Sequence, residues 1–162
     1  MDHSAYENMA LAGEWLCDVE MQVSPHSPGS IDSPWGARNI AYIGAGEFNG
    51  PHLKGKVLPG GGDWPQLSSD GNNNYRLNVR AAWETDDGAR LYVEYYGFIA
   101  IPPELMNERA DLAALDPADY YFRSAPRFET GDERYAWLNT TLCVGIGRIT
   151  ADGIGYRIFK ID

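Results

Sequence analysis

The sequence predicts an all-β fold, an antiparallel β-barrel of about eight strands with one short covering helix, in a single domain over residues 1–162. Three observations lead there. Aromatic residues are abundant, with 5 Trp, 10 Tyr and 5 Phe making up 12% of the chain. Turn formers are dense, at 18 Gly and 10 Pro, which suits many short strands joined by tight connections. Alternating apolar segments recur between Gly-, Asn- and Asp-containing turns. Seven to nine such strands fit a sandwich or a closed barrel. The tyrosine and tryptophan content favours a barrel with a roofed cavity, because amphipathic rings line such cavities well.

In chain order, residues 1–35 supply a first strand, Trp15–Val23, and an irregular loop from Ser24 to Gly36. The stretch "ARNIAYIGAGEFNGPHLKGKVLP" gives two or three short strands broken at Gly44, Gly46, Asn49-Gly50 and Gly55. "YRLNVRAAWET" and "ARLYVEYYGFIAI" flank Asp86-Asp87-Gly88, a strong hairpin signal. Residues 103–115, "PELMNERADLAAL", open with proline and carry helical spacing, so they are expected to form the covering helix. "RYAWLNTTLCVGIGRI" and "GYRIFKI" form a second hairpin about Asp152-Gly153.

The formal net charge of −10, with no Lys/Arg cluster, argues against a nucleic-acid partner. No apolar run approaches the length of a membrane span, and no export signal is visible, so a cytoplasmic location is expected and no membrane partner. Cys17 and Cys143 are far apart in sequence and are expected to be small buried hydrophobes in a reducing compartment. His3, His26 and His52 stand apart from any acidic cluster, so neither a metal nor a cofactor is expected. "GAGEFNG" reads as a turn between strands, and "PGGGDW" lacks the Lys-Ser/Thr of a phosphate loop.

Candidate site residues come from strand alternation. Asn78, Arg80 and Ala82 share one face of their strand, opposite the apolar face of Leu77, Val79, Ala81 and Trp83. Alternation alone leaves open which face looks inward. Tyr135, Trp137 and Asn139 share a face if residues 134–144 are a strand, giving a ring, a phenol and an amide in register. Glu94 stands among Tyr92 and Tyr96, and Glu129 follows Arg123 and Arg127. The glycine run in "VLPGGGDWPQLSSDG" permits a sharp path that could aim Asp63 and Trp64 at the barrel mouth.

The blocks "GARNIAYIGAGEFNGPHLKGKVLPGGGDW", "ETDDGARLYVEYYG" and "DYYFRSAPRFETGDERYAWLN" resemble domain-of-unknown-function family 3237 over roughly residues 36–161. The resemblance implies a calycin/lipocalin-like antiparallel barrel and little about activity. One departure is Asn78, where the family often has an acid two residues before Arg80.

These residues lead to the expectation of a cofactor-independent enzyme of the lyase, isomerase or cyclase type, acting on a hydrophobic, oxygenated or aromatic substrate. Asp63, Glu129, Arg80 and Tyr135 are its candidate catalytic groups. Trp64, Asn78, Glu94, Arg123, Trp137 and Asn139 are its candidate substrate-binding groups. The alternative is a lipocalin-like carrier without turnover. The expected partner is a small hydrophobic ligand, with a homodimer as a further option.

Overall fold

The computed structural model describes residues 9–68, 74–106 and 111–162. Eight long strands close into an antiparallel barrel: β1 (Gly13–Val23), β3 (Arg38–Asn49), β4 (Lys54–Asp63), β6 (Asn74–Thr85), β7 (Arg90–Ala100), β8 (Tyr121–Glu129), β9 (Cys143–Ile149) and β10 (Gly153–Ile161). Their order around the barrel is β1-β10-β9-β8-β7-β6-β4-β3, and pairing of β3 with β1 closes the ring. Two short strands, β2 (Gly29–Ile31) and β5 (Gln66–Leu67), extend one rim. Closure leaves the long strands no free edge.

Alternation sets the inward face. On β6, Leu77, Val79, Ala81, Trp83 and Thr85 are buried, while Arg76, Arg80 and Ala82 are exposed. Direct cross-strand partners share a face, so Leu91, Val93 and Tyr95 of β7 join them. The apolar face of "YRLNVRAAWET" therefore looks inward, and Arg80 looks out.

One half of the interior is filled with aromatic rings. Trp83 stacks on Phe48 at 4.5 Å between centroids and meets Phe128 edge to face at 5.6 Å. Further along, Tyr156 packs edge to face on Phe122 at 5.0 Å. The Phe122 and Tyr156 rings fit because β9 turns Gly147 and Gly145 toward them. A Cβ on Gly147 would lie 2.5 Å from the fully buried Phe122 ring. Gly147→Ala should accordingly cost about 1–3 kcal/mol by overpacking, read as a lower urea midpoint, whereas an unchanged midpoint would mean the Phe122 ring can move aside.

The glycine run of β4 is a strand feature. Pro59, Gly60 and Gly61 stand opposite Ala81 alone, a bulge between the pairs Leu58–Ala82 and Gly62–Arg80. Gly60 has a φ of 108°, which favours glycine, and a side chain on Gly61 would collide with the Arg80 carbonyl. Because the bulge inserts two extra residues, facing parity is kept, and Asp63 pairs with inward-facing Val79.

Three segments differ from the sequence expectation. Residues 38–49 form one continuous strand through Gly44 and Gly46, so "GAGEFNG" is no turn; a register shift between Tyr42 and Gly46 absorbs the glycines. Residues 133–140 are an eight-residue 3-10 helix rather than a strand, started by the Asp132 side chain accepting from the Arg134 amide. In the covering segment, Pro103–Leu105 and Leu112–Ala114 form 3-10 turns, while residues 107–110 lie outside the described residues. Leu105, Met106, Leu112 and Leu115 pack on the core, so the segment does cover it.

Cys17 and Cys143 are free and buried. Burial pushes their thiols up to about 12 and about 11, so both are inert core groups at neutral pH. Among the described residues, no helix is long and apolar enough to cross a membrane.

Candidate functional site

The two ends of the barrel differ. At the end holding the β6–β7 hairpin, the 3-10 helix closes the opening, with Leu138 buried in it. The opposite end keeps a cavity of about 260 Å³, slightly below the roughly 300–1,000 Å³ of drug-sized ligand sites. Its wall is mostly apolar, built by residues such as Met21, Ile43, Leu77, Val79 and Ile99, with Leu112 of the covering segment over it. Tyr42, Tyr75, Tyr95, Asn39 and Gln22 supply polar tips.

Asp63 is the one carboxyl in that wall among the described residues, and no lysine or arginine lines it. One carboxyl oxygen accepts from the Asn78 backbone amide at 2.9 Å. Burial pushes the Asp63 carboxyl up to about 6, against the opposing pull of the Asn78 and Trp64 amides. A carboxyl ionising near neutrality can both take and return a proton at working pH.

The other expected site residues lie elsewhere. Trp64 does not line the cavity; its ring lies back over Gly62, and its carbonyl accepts from Arg38 at 2.9 Å. Asn78 touches Asp63 through its backbone alone. Its side chain turns outward and accepts from the Arg80 guanidinium at 3.1 Å. Glu94, also on the outer wall, accepts from Tyr92 at 3.0 Å and pairs with Arg127 at 3.1 Å. Glu129 is exposed beside Arg127 at 3.6 Å. Arg123 donates to the Phe122 carbonyl at 2.9 Å and lies over the Tyr121 ring, again on the outside. Strand alternation explains these placements, since each of these residues is one step from a buried neighbour.

Tyr135, Trp137 and Asn139 sit on the closing 3-10 helix, at the end away from the cavity. The Tyr135 hydroxyl donates to Asp87 at 3.0 Å. Asn139 clamps Thr130, accepting from its amide at 2.8 Å and donating to its carbonyl at 3.0 Å. Trp137 is partly exposed against His52. The helical geometry breaks the stripe that a strand would have made of these three.

Arg80→Ala should thus leave ligand binding and turnover within about twofold of the parent, with stability shifted by under about 0.5 kcal/mol, as for an ordinary surface substitution. A tenfold loss of binding in a calorimetric titration would place Arg80 in the site after all. Among the described residues, no three His, Cys, Asp or Glu side chains come together as a metal-binding group.

Tyr95 is the cavity residue that strand reading overlooked. It lies between Val93 and Gly97 on the apolar face of β7, directly beyond Val79 from Asp63. Its hydroxyl is buried beside that of Tyr156 and has no partner in full hydrogen-bond geometry among the described residues.

Comparison with known proteins agrees with this architecture. A UPF0311 protein of Rhodopseudomonas palustris, RPA1785, is 40% identical over 126 residues, covering 78% of this chain and 81% of its own. The crystal structure of RPA1785, a conserved protein of unknown function, superposes with a TM-score of 0.83 at 33% identity, covering 96% of this chain and all of that one. A β-barrel-like protein of Acinetobacter baumannii gives a TM-score of 0.80 at 30% identity, covering 97% of this chain and 99% of that one. A protein from Penicillium herquei described as an enzyme shares the fold alone, with a TM-score of 0.68 at 18% identity over 96% of this chain and 98% of that one. The profile of a family described as "protein of unknown function (DUF3237)" matches residues 12–161. The chain belongs to that family.

Proposed function

We propose that the protein is a cofactor-independent enzyme of the lyase, isomerase or cyclase type, moving a proton on a small hydrophobic, oxygenated substrate held in the open-end cavity. One observation carries this reading: the one carboxyl in the wall among the described residues, pushed up to about 6, stands among mostly apolar side chains. Most of it is ionised at pH 7.5, so it acts first as a base. It accepts a proton from a carbon or hydroxyl of the substrate, becomes the neutral acid, and returns that proton to another substrate atom. Apolar walls keep bulk water from competing for the proton.

The test is deuterium incorporation from D2O into small ketones, cyclohexanone and 2-tetralone, followed by proton NMR. Exchange above the buffer rate, rising through pH 6 and lost in Asp63→Asn, is the expected result. Binding of both ketones with no exchange from pH 5 to 8, in parent and variant alike, would favour a lipocalin-like carrier.

A further inference from the structure

Behind the cavity wall, two buried tyrosine hydroxyls stand close together. Tyr95 and Tyr156 are each 4% exposed, and neither hydroxyl has a partner in full hydrogen-bond geometry among the described residues. Their rings meet edge to face, with centroids 5.4 Å apart. Tyr156 is placed to donate toward the Tyr95 oxygen, which leaves the Tyr95 hydrogen without an acceptor, and the Asp63 carboxyl acts on both ionisations. A third buried hydroxyl without a partner, Ser124 Oγ, lies against the same glycine as the Tyr156 ring. A Cβ on Gly145 would be 2.5 Å from that oxygen and 3.2 Å from the ring.

Buried hydroxyls are nearly always bonded, and leaving one unpaired is costly. The pair can satisfy the Tyr156 hydrogen and the Tyr95 oxygen, but packing alone does not account for the Tyr95 hydrogen, which has no acceptor among the described residues. Tyr95 lines the cavity, and Tyr156 stands next to it deeper in the barrel. We propose that the Tyr95 hydroxyl, backed by Tyr156, forms an oxygen-binding subsite at the cavity floor, which holds an uncharged ketone, phenol or alcohol oxygen of the substrate.

The chemistry of the lining selects that ligand class. A phenol hydroxyl can donate to a carbonyl or exchange hydrogen bonds with an alcohol. Among the described residues no cation lines the cavity, and the nearby Asp63 carboxylate repels a second negative charge, so a carboxylate ligand is disfavoured. Burial pushes both phenols above their ordinary ionisation range, so they stay neutral donors and leave proton exchange to Asp63. An oxygen fixed at the floor would hold the adjoining carbon beside the Asp63 wall, the placement that proton transfer needs.

This inference rests on the cavity being the substrate site, and its test separates the two. Three compounds of similar shape, acetophenone, ethylbenzene and benzoate, are titrated calorimetrically at pH 8 into the parent protein and into Tyr95→Phe, Tyr156→Phe and Asp63→Asn. The parent should bind acetophenone about tenfold or more tightly than either of the others, the margin expected for one good hydrogen bond to a desolvated oxygen. In each Tyr→Phe variant the preference over ethylbenzene should shrink, to about twofold in Tyr95→Phe, with ethylbenzene binding kept. Asp63→Asn should keep the preference for acetophenone over ethylbenzene. Survival of the full preference in both tyrosine variants overturns the subsite while leaving the Asp63 reading intact. Collapse of the preference, together with undiminished exchange in Asp63→Asn, overturns the Asp63 reading and keeps the subsite. If the parent binds none of the three compounds, the subsite falls.

Discussion

Asp63→Asn will abolish proton exchange yet stabilise the fold at neutral and alkaline pH. Removing a positioned acid–base group typically costs about 10²–10⁴-fold in rate, and asparagine cannot take up a proton in its place. The stability change follows from the ionisation of Asp63. Its folded value, about 6, lies above its ordinary value of 3.8. Between those limits the folded protein holds the proton more tightly than the unfolded chain does. Stability therefore falls as pH rises from about 4 to 6, and the deficit is complete above 6. A shift of this size corresponds to at most about 3 kcal/mol, less whatever the asparagine amide loses by having no partner in an apolar wall. Urea unfolding should show the variant more stable than the parent at pH 8, with the advantage gone near pH 4. A parent more stable than the variant at pH 8 would mean that the carboxylate is well solvated or paired.

The largest loss of stability should come from Trp83→Ala, about 3–5 kcal/mol, as for other large aromatic deletions in a core. Trp83 is 1% exposed and is the largest of the fully buried side chains. Its ring is clasped by Phe48 and Phe128, from β3 and β8, and its register partners are Val57 and Leu91. Those neighbours come from strands on different sides of the barrel, so they cannot all close on the void. The indole N–H has no hydrogen-bond partner among the described residues, so Trp83→Phe removes volume and an unsatisfied donor together. Its cost should be clearly smaller than that of the alanine variant. Both substitutions lie in the filled half of the barrel, so ligand affinity at the open end should persist wherever the variant folds. Equal losses for Phe and Ala would show that the stability resides in the indole edge rather than in ring packing.

Much of this architecture was legible in the sequence for simple reasons. Period-two alternation on "YRLNVRAAWET" defined both faces of β6, and Asp-Gly pairs marked the two hairpins. What alternation could not decide was which face a barrel turns inward. The tyrosines around Glu94 drew attention to the outer face of β7, although Tyr95, one residue on, faces the cavity. Its only signal was a lone phenol between Val93 and Gly97 on an apolar face. Tyr156 carried the same kind of signal, sharing the inward face of β10 with Ile158. Residues 134–142 alternate like a strand, but Gly131-Asp132-Glu133 ahead of them has the composition of a helix start, and that local capping prevailed. Asp63 owes its inward direction to a bulge whose length keeps parity, a pairing property that no single strand's composition reveals.

The central claim, that the Asp63 carboxyl faces a ligand cavity and ionises near neutrality, is most directly tested by carbon-13 NMR titration of aspartate side-chain carboxyls. The resonance missing in Asp63→Asn should titrate near pH 6 and shift when cyclohexanone is added. An Asp63 resonance that titrates below pH 4.5 and ignores the ketone would contradict the account.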